Sequence, residues 1–91
     1  MVRERDIEAL FTRLGTECGA LVLKLTSPGN NGVPDRLVVR PGGIVEFVEL
    51  KRPGARPRKL QEAIHAKLRE HGVAVYTLDS REAVRDWWDV R

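Results

Sequence analysis

The chain has 91 residues, 42% hydrophobic and 32% charged, and sixteen Lys and Arg against thirteen Asp and Glu give a net charge of +3. This composition fits one small folded domain over residues 1–91 and excludes a disordered tail. No apolar run approaches the roughly 20 residues of a membrane span, and Met1-Val2-Arg3-Glu4-Arg5-Asp6 has none of the apolar character of a secretion signal.

Cys18 is the sole cysteine, so neither an intrachain disulfide nor a cysteine-based zinc site can form. A cytoplasmic, reducing setting without membrane contact is expected. Twelve of the sixteen basic residues are Arg, which favours planar anionic partners such as phosphate.

Ile7, Leu10, Phe11 and Leu14 fall at i, i+3, i+4 and i+7 and predict a first helix over about residues 3–15, closed by Gly15 or Gly19. Residues 20–26 are apolar and predict a strand. Residues 27–34, Ser-Pro-Gly-Asn-Asn-Gly-Val-Pro, collect nearly every turn-forming type and predict a loop. Residues 35–40 and 44–51 predict a hairpin turning at Pro41-Gly42-Gly43. Leu60, Ala63, Ile64 and Leu68 mark a second helix ending near Gly72. Residues 73–78 predict a fourth strand. Ser80 is a good cap for a final helix carrying Ala83, Val84, Trp87 and Trp88. The order is α-β-β-β-α-β-α. A helix between strands three and four permits a parallel crossover, so the fold class is α/β, a mixed four-stranded sheet flanked by helices.

The third strand alternates so that Val45, Phe47, Glu49 and Lys51 share one face and Ile44, Glu46, Val48 and Leu50 the other. Its apolar character predicts a central strand covered on both faces. Glu49 and Lys51, with Cα atoms roughly 7 Å apart, leave its end side by side. In the predicted hairpin, residues whose numbers sum to about 84 lie opposite one another, which sets Asp35 against Glu49. Two carboxylates and a lysine then converge at one end of the sheet. Like charges this close are stable together when a cation sits between them. Hard oxygen donors with open positions suit Mg²⁺ or Mn²⁺, and such a site suits phosphodiester hydrolysis. The plainer alternative is a Glu–Lys pair at a fraying strand end.

Pro34-Asp35, thirteen residues, then Glu49-Leu50-Lys51 resembles the P-D…(D/E)-x-K signature of restriction-endonuclease-like nucleases. With Ser27-Pro28-Gly29-x-x-Gly32 before it, Phe47-Val48 within it and Gln61 after it, the chain is similar to the VRR-NUC family of virus-type replication and repair nucleases. The resemblance runs from Glu4 to the final helix. It implies a restriction-endonuclease-like core, a divalent-metal-dependent deoxyribonuclease activity with Mg²⁺ or Mn²⁺ as cofactor, and likeness to Holliday-junction resolvases, which work as homodimers on branched DNA. It implies Asp35 and Glu49 as metal ligands, Lys51 as the residue assisting the attacking water, Leu50 as a backbone carbonyl donor, and Gln61 as a catalytic residue. It also implies a glutamate from the first helix. Glu4 lies about 70° from the centre of the apolar stripe and Glu8 about 110°, so Glu4 is the better aimed. A charge on the helix N-terminus is the alternative for Glu4, and a solvated helix flank for Gln61.

Lys51, Arg52, Arg56, Arg58 and Lys59 form a basic segment without an intervening acid, and suit a polyanion such as DNA. A solvated loop is the alternative, although positive charge at a helix start opposes the macrodipole. Ser27, Asn30, Asn31 and Arg36 are candidate phosphate contacts, with Gly29 and Gly32 permitting close backbone approach. His65 and His71 have no metal-ligand spacing and are expected to be structural or solvated. Ser27 has no His and Asp partners for a triad. Trp87 and Trp88 could stack on bases, but are expected in a small core or, with Val90 and helix 2, in a dimer seam. Cys18 is expected in the core. The rival functions are a non-catalytic nucleic-acid-binding module and a nuclease subunit targeted by a partner.

Overall fold

The computed structural model describes residues 1–91. The elements are α1 (Glu4–Glu17), β1 (Leu21–Lys24), β2 (Arg36–Arg40), β3 (Ile44–Leu50), α2 (Lys59–Glu70), β4 (Val75–Leu78) and α3 (Arg81–Asp89), in the expected order. The sheet runs β1-β2-β3-β4, antiparallel except for the β3–β4 pair, which the α2 crossover makes parallel.

The β2–β3 register pairs Leu37 with Phe47 and Val38 with Glu46, the numbering expected of a turn at 41–43. Gly42 and Gly43 both have positive φ (90° and 77°), a conformation that glycine adopts without a Cβ clash, and this fixes the register.

Two helices cover one face of the sheet. Ile7, Leu10 and Phe11 of α1 and Val84, Trp87 and Trp88 of α3 pack on Val38, Val48, Leu50 and Leu78 in a single core. Phe11 lies 5.0 Å from Trp88 and 5.5 Å from Trp87 between ring centroids. The tryptophans thus belong to the core and are not a dimer seam. Ser80 caps α3, its Oγ accepting from the Ala83 N–H at 2.9 Å.

Helix α1 runs past Gly15 to Glu17, two residues beyond the expected end. Gly15 is a packing position: a Cβ there would lie 2.6 Å from Val22 and 2.7 Å from the Trp88 ring. Gly19, at φ 78°, makes the turn instead. With the helix extended, Cys18 becomes its exposed C-terminal cap, not a core residue. Gly15→Ala gains about 1 kcal/mol of helix propensity and meets an overpacking cost of about 1–3 kcal/mol against a rigid indole. The expected net result is a lower urea midpoint, with Gly19→Ala lowering it through φ strain instead.

The opposite face of the sheet is only partly covered, which corrects the expectation for β3. The register aligns Leu21, Val39 and Val45 in one row and Leu23, Leu37, Phe47 and Val75 in the next. Leu21 and Val45 are about half exposed (55% and 47%). Helix α2 reaches this face beside β4, where Arg69 donates to the Val75 carbonyl at 2.9 Å, and at the end of β3, where Gln61 meets Glu49. Its inward residues are the polar Gln61 and His65, while Leu60 is exposed and Ile64 half-buried. The apolar stripe of α2 meets the 27–34 loop: a Cβ on Gly32 would lie 2.5 Å from Ile64.

Candidate active site

Asp35 precedes β2, directly opposite the last turn of pleat in β3. Its N–H donates to Glu49 Oε1 at 3.2 Å, and its Oδ1 accepts from the Leu50 N–H at 3.1 Å. These reciprocal bonds hold the two carboxyl groups side by side where the hairpin register puts them. Leu50 is buried in the core, and its main chain enters the site. Lys51 Nζ lies 3.4 Å from Glu49 Oε2, so the shared face of Glu49 and Lys51 survives at the strand end.

Gln61 is buried, not solvated. Its Oε1 accepts from the Arg58 N–H at 2.8 Å, closing the start of α2, and this turns its amide nitrogen toward Glu49 Oε2 at 3.1 Å. One residue thereby caps a helix and orients a carboxylate.

Helix α1 brings both of its candidate acids. Carboxylate oxygens of Glu4, Glu8 and Asp35 lie within 4.8 Å of one another. The two glutamates differ in their partners. Glu8 Oε1 is bound by Arg36 Nη2 at 2.9 Å, whereas Glu4 is exposed and makes no ion pair.

Burial raises the Asp35 pKa, and the charges of Glu8 and Glu4 add to it against the Leu50 N–H and Arg36. Burial also raises the Glu49 pKa, with the Asp35 charge adding to it against Lys51. Both acids are therefore under-compensated by the protein itself, the condition a cation relieves. The clustered carboxylates of Glu4, Glu8 and Asp35, with Glu49 hydrogen-bonded to the Asp35 N–H, are hard oxygen donors open to solvent at Glu4; their chemistry would suit Mg²⁺ or Mn²⁺ and would suit a soft metal poorly.

Arg36 is placed differently from expectation. Its side chain is only 7% exposed, with Nη1 on the Asp35 carbonyl at 3.0 Å and Nη2 on Glu8. It faces α1 and is not available to a phosphate. Asn30 is engaged within its own loop, Oδ1 accepting the Gly32 N–H at 3.1 Å, and Asn31 is exposed. Gly32 makes room for α2, and Gly29 lies in the open. Arg52, Arg56, Arg58 and Lys59 are exposed and none makes an ion pair.

His65 has a place that its spacing to His71 hides. It is buried one turn beyond Gln61 on the inward side of α2, its Nε2 without a partner. Burial and the charges of Arg69 and Lys51 lower its pKa, which favours the neutral ring. The signal in the sequence is its i, i+4 spacing from Gln61. His71 is exposed and binds the Lys67 carbonyl.

The mixed sheet, with Asp35 and Glu49 of the P-D and E-x-K motifs held together at its end, has the build of a restriction-endonuclease-like nuclease domain. The VRR-NUC domain family matches residues 3–82, and the chain belongs to that family. It is similar to a protein of Acyrthosiphon pisum secondary endosymbiont phage 1 named "Putative nuclease p44", 42% identical over 82 residues that cover 90% of this chain and 88% of that one. It is also similar to a solved structure described as a VRR_NUC domain, with a TM-score of 0.89 at 29% identity over 98% of this chain and 97% of the other. No helix is long and apolar enough to cross a membrane.

Proposed function

We propose that the protein is a divalent-metal-dependent DNA endonuclease that hydrolyses phosphodiester bonds in branched DNA such as Holliday junctions. The observation that carries this reading is the locked Asp35–Glu49 pair with Lys51 beside it and a glutamate of α1 in reach. Asp35, Glu49 and Glu4, with the Leu50 carbonyl, would hold the ion. Bound Mg²⁺ or Mn²⁺ supplies an acidified water and charge stabilisation at phosphorus. The chain does the rest. Gln61 and the Asp35 N–H fix the two oxygens of Glu49. The Lys51 ammonium is placed to orient the attacking water and to offset charge developing on the phosphate. Labelled linear, flap and four-way DNA, incubated with Mg²⁺, Mn²⁺ or EDTA, test the reading. Metal-dependent incision of the four-way substrate is expected, and binding without incision in either metal favours the non-catalytic module.

The unpaired Arg52, Arg56 and Arg58, with Lys59, flank this site and support a polyanionic substrate. Changing the three arginines to Gln is expected to weaken binding to every DNA tested. Each lost phosphate contact flattens the slope of log K against log salt by about 0.9 on duplex. Fluorescence anisotropy across a salt series reads this, and an unchanged slope would mark a solvated loop. The phage relative fits work in a phage-infected cell.

A homodimer is part of the reading, because paired incisions across a junction need two sites on one DNA-binding face. With the tryptophans buried, Val90 and Leu60 of α2 remain exposed, and the exposed apolar residues that share one sheet face are Leu21, Leu23 and Val45. Sedimentation is expected to give about twice the 10.3 kDa chain mass. The same measurement on Leu21→Glu/Val45→Glu is expected to give the single chain.

A further inference from the structure

Arg36 is the one cation buried among the acids of α1 and Asp35, and it does not treat them alike. Its guanidinium holds Glu8 at 2.9 Å, stands 3.5 Å from Asp35 Oδ2 and leaves Glu4 without an ion pair. Register places Arg36 beside Val48 on the face that α1 covers, so its side chain has α1 as its neighbour rather than solvent. Alternation along β2 thus puts Arg36 beneath the site that Asp35 opens.

Charge gives this arrangement a consequence. Ionised Glu4, Glu8, Asp35 and Glu49 against Arg36 and Lys51 leave two negative charges, the charge of one divalent ion. Without Arg36 the surplus would be three, and Glu8, whose carboxylate already lies within 4.8 Å of those of Glu4 and Asp35, would have both oxygens free for the ion. We infer that Arg36 is a positioning residue that withdraws Glu8 from cation binding, leaving Glu4, Asp35 and Glu49 to hold a single divalent ion. This rests on the proposed reading of the site as a metal centre, and it separates the two glutamates of α1 by their partners instead of by their helical angle.

Mn²⁺ binding, measured by calorimetry at low ionic strength without DNA, tests the inference. Arg36→Gln adds net negative charge beside the ion and is expected to tighten Mn²⁺ about tenfold, since one unit charge at this range is worth at least ~1.4 kcal/mol. Glu8→Gln leaves Arg36 uncompensated and is expected to weaken Mn²⁺ about tenfold by the same reasoning. In the double variant the two changes should cancel to within about threefold, and Arg36→Lys should restore ordinary affinity. A merely structural role would lower the unfolding midpoint and leave Mn²⁺ affinity unmoved in all variants, which overturns the inference. If Arg36→Gln fails to fold, Glu8→Gln decides alone: unchanged or tighter binding overturns it. If the unaltered protein does not bind Mn²⁺, the metal reading falls and the inference with it, whereas normal binding throughout removes only the role of Arg36.

Discussion

Asp35→Asn is expected to abolish cleavage while raising the unfolding midpoint of the metal-free protein. Both effects come from one charge. An anionic ligand contributes several kcal/mol of transition-state stabilisation through the ion it holds, so its loss is expected to lower turnover by about 10³-fold or more. In the metal-free protein the same charge is a burden: burial and the neighbouring Glu8 and Glu4 raise the Asp35 pKa. A carboxyl whose folded pKa lies above its unfolded value destabilises the folded state progressively as pH rises through that interval. The neutral amide lacks this penalty and keeps an oxygen for the Leu50 N–H. Glu49→Gln should follow the same pattern, since burial and Asp35 raise its pKa too. Lys51→Ala should lower turnover more than affinity, and Lys51→Arg should rescue it incompletely. Thermal melts in EDTA beside cleavage assays check the pairing of effects. Full activity in Asp35→Asn would remove the active-site reading, and a lowered midpoint would remove its electrostatic part.

The juxtaposition of Asp35 and Glu49 was legible because it depends on one short turn. Two glycines at 42 and 43 allow a single tight reversal, and the period of two along each strand carries that register to the far end of the hairpin. The E-x-K spacing put Glu49 and Lys51 on one face for the same reason. What the sequence concealed is what covers each face. The 3.6-residue stripe that includes Leu60 and Ile64 marked α2 as a helix but not its inward side, which carries Gln61 and His65, with Glu49 as the polar partner of Gln61. Arg36 resembled a phosphate contact because charge at the start of a strand is usually solvated, and only the placement of α1 shows its guanidinium on Glu8. Gly15 carried the signal of a helix end, but its lack of a side chain serves the approach of Trp88 from a helix more than sixty residues later in the chain. Long-range packing of this kind has no local signature.

The largest stability loss is expected at Glu46, a residue outside the site. It sits on the core face of β3, 5% exposed, opposite Val38. Burial alone would raise its pKa, but hydrogen bonds from Arg91 and Arg40, reinforced by their charges, outweigh it and hold the carboxyl below its ordinary range. Arg40 Nε reaches Oε1 at 2.9 Å and Arg91 Nη2 reaches Oε2 at 2.9 Å. Arg91 also lies over the Trp87 ring at 3.7 Å and donates to the Trp87 carbonyl at 2.9 Å, so Glu46 ties the end of α3 to the centre of the sheet. Glu46→Ala removes the shared anion and leaves Arg91 largely buried without a counter-charge. Breaking a buried pair in this way costs about 3–5 kcal/mol, a large share of the ~5–15 kcal/mol typical of a whole domain. The pH dependence is opposite in sign to that of Asp35. A carboxyl with a lowered folded pKa contributes stability that is complete above its unfolded value and is lost as pH falls through its folded one. Acidification of the metal-free protein should therefore first relieve Asp35 and Glu49, then undo Glu46, so stability passes through a maximum on the acid side. Urea midpoints taken from about pH 7 down to pH 3 should show that maximum. Glu46→Gln should be less stable at neutral pH and lose the steep acid limb. An unaltered midpoint in Glu46→Ala would mean that Arg40 and Arg91 reach solvent as easily as they reach Glu46, and that aromatic packing alone holds α3 to the sheet.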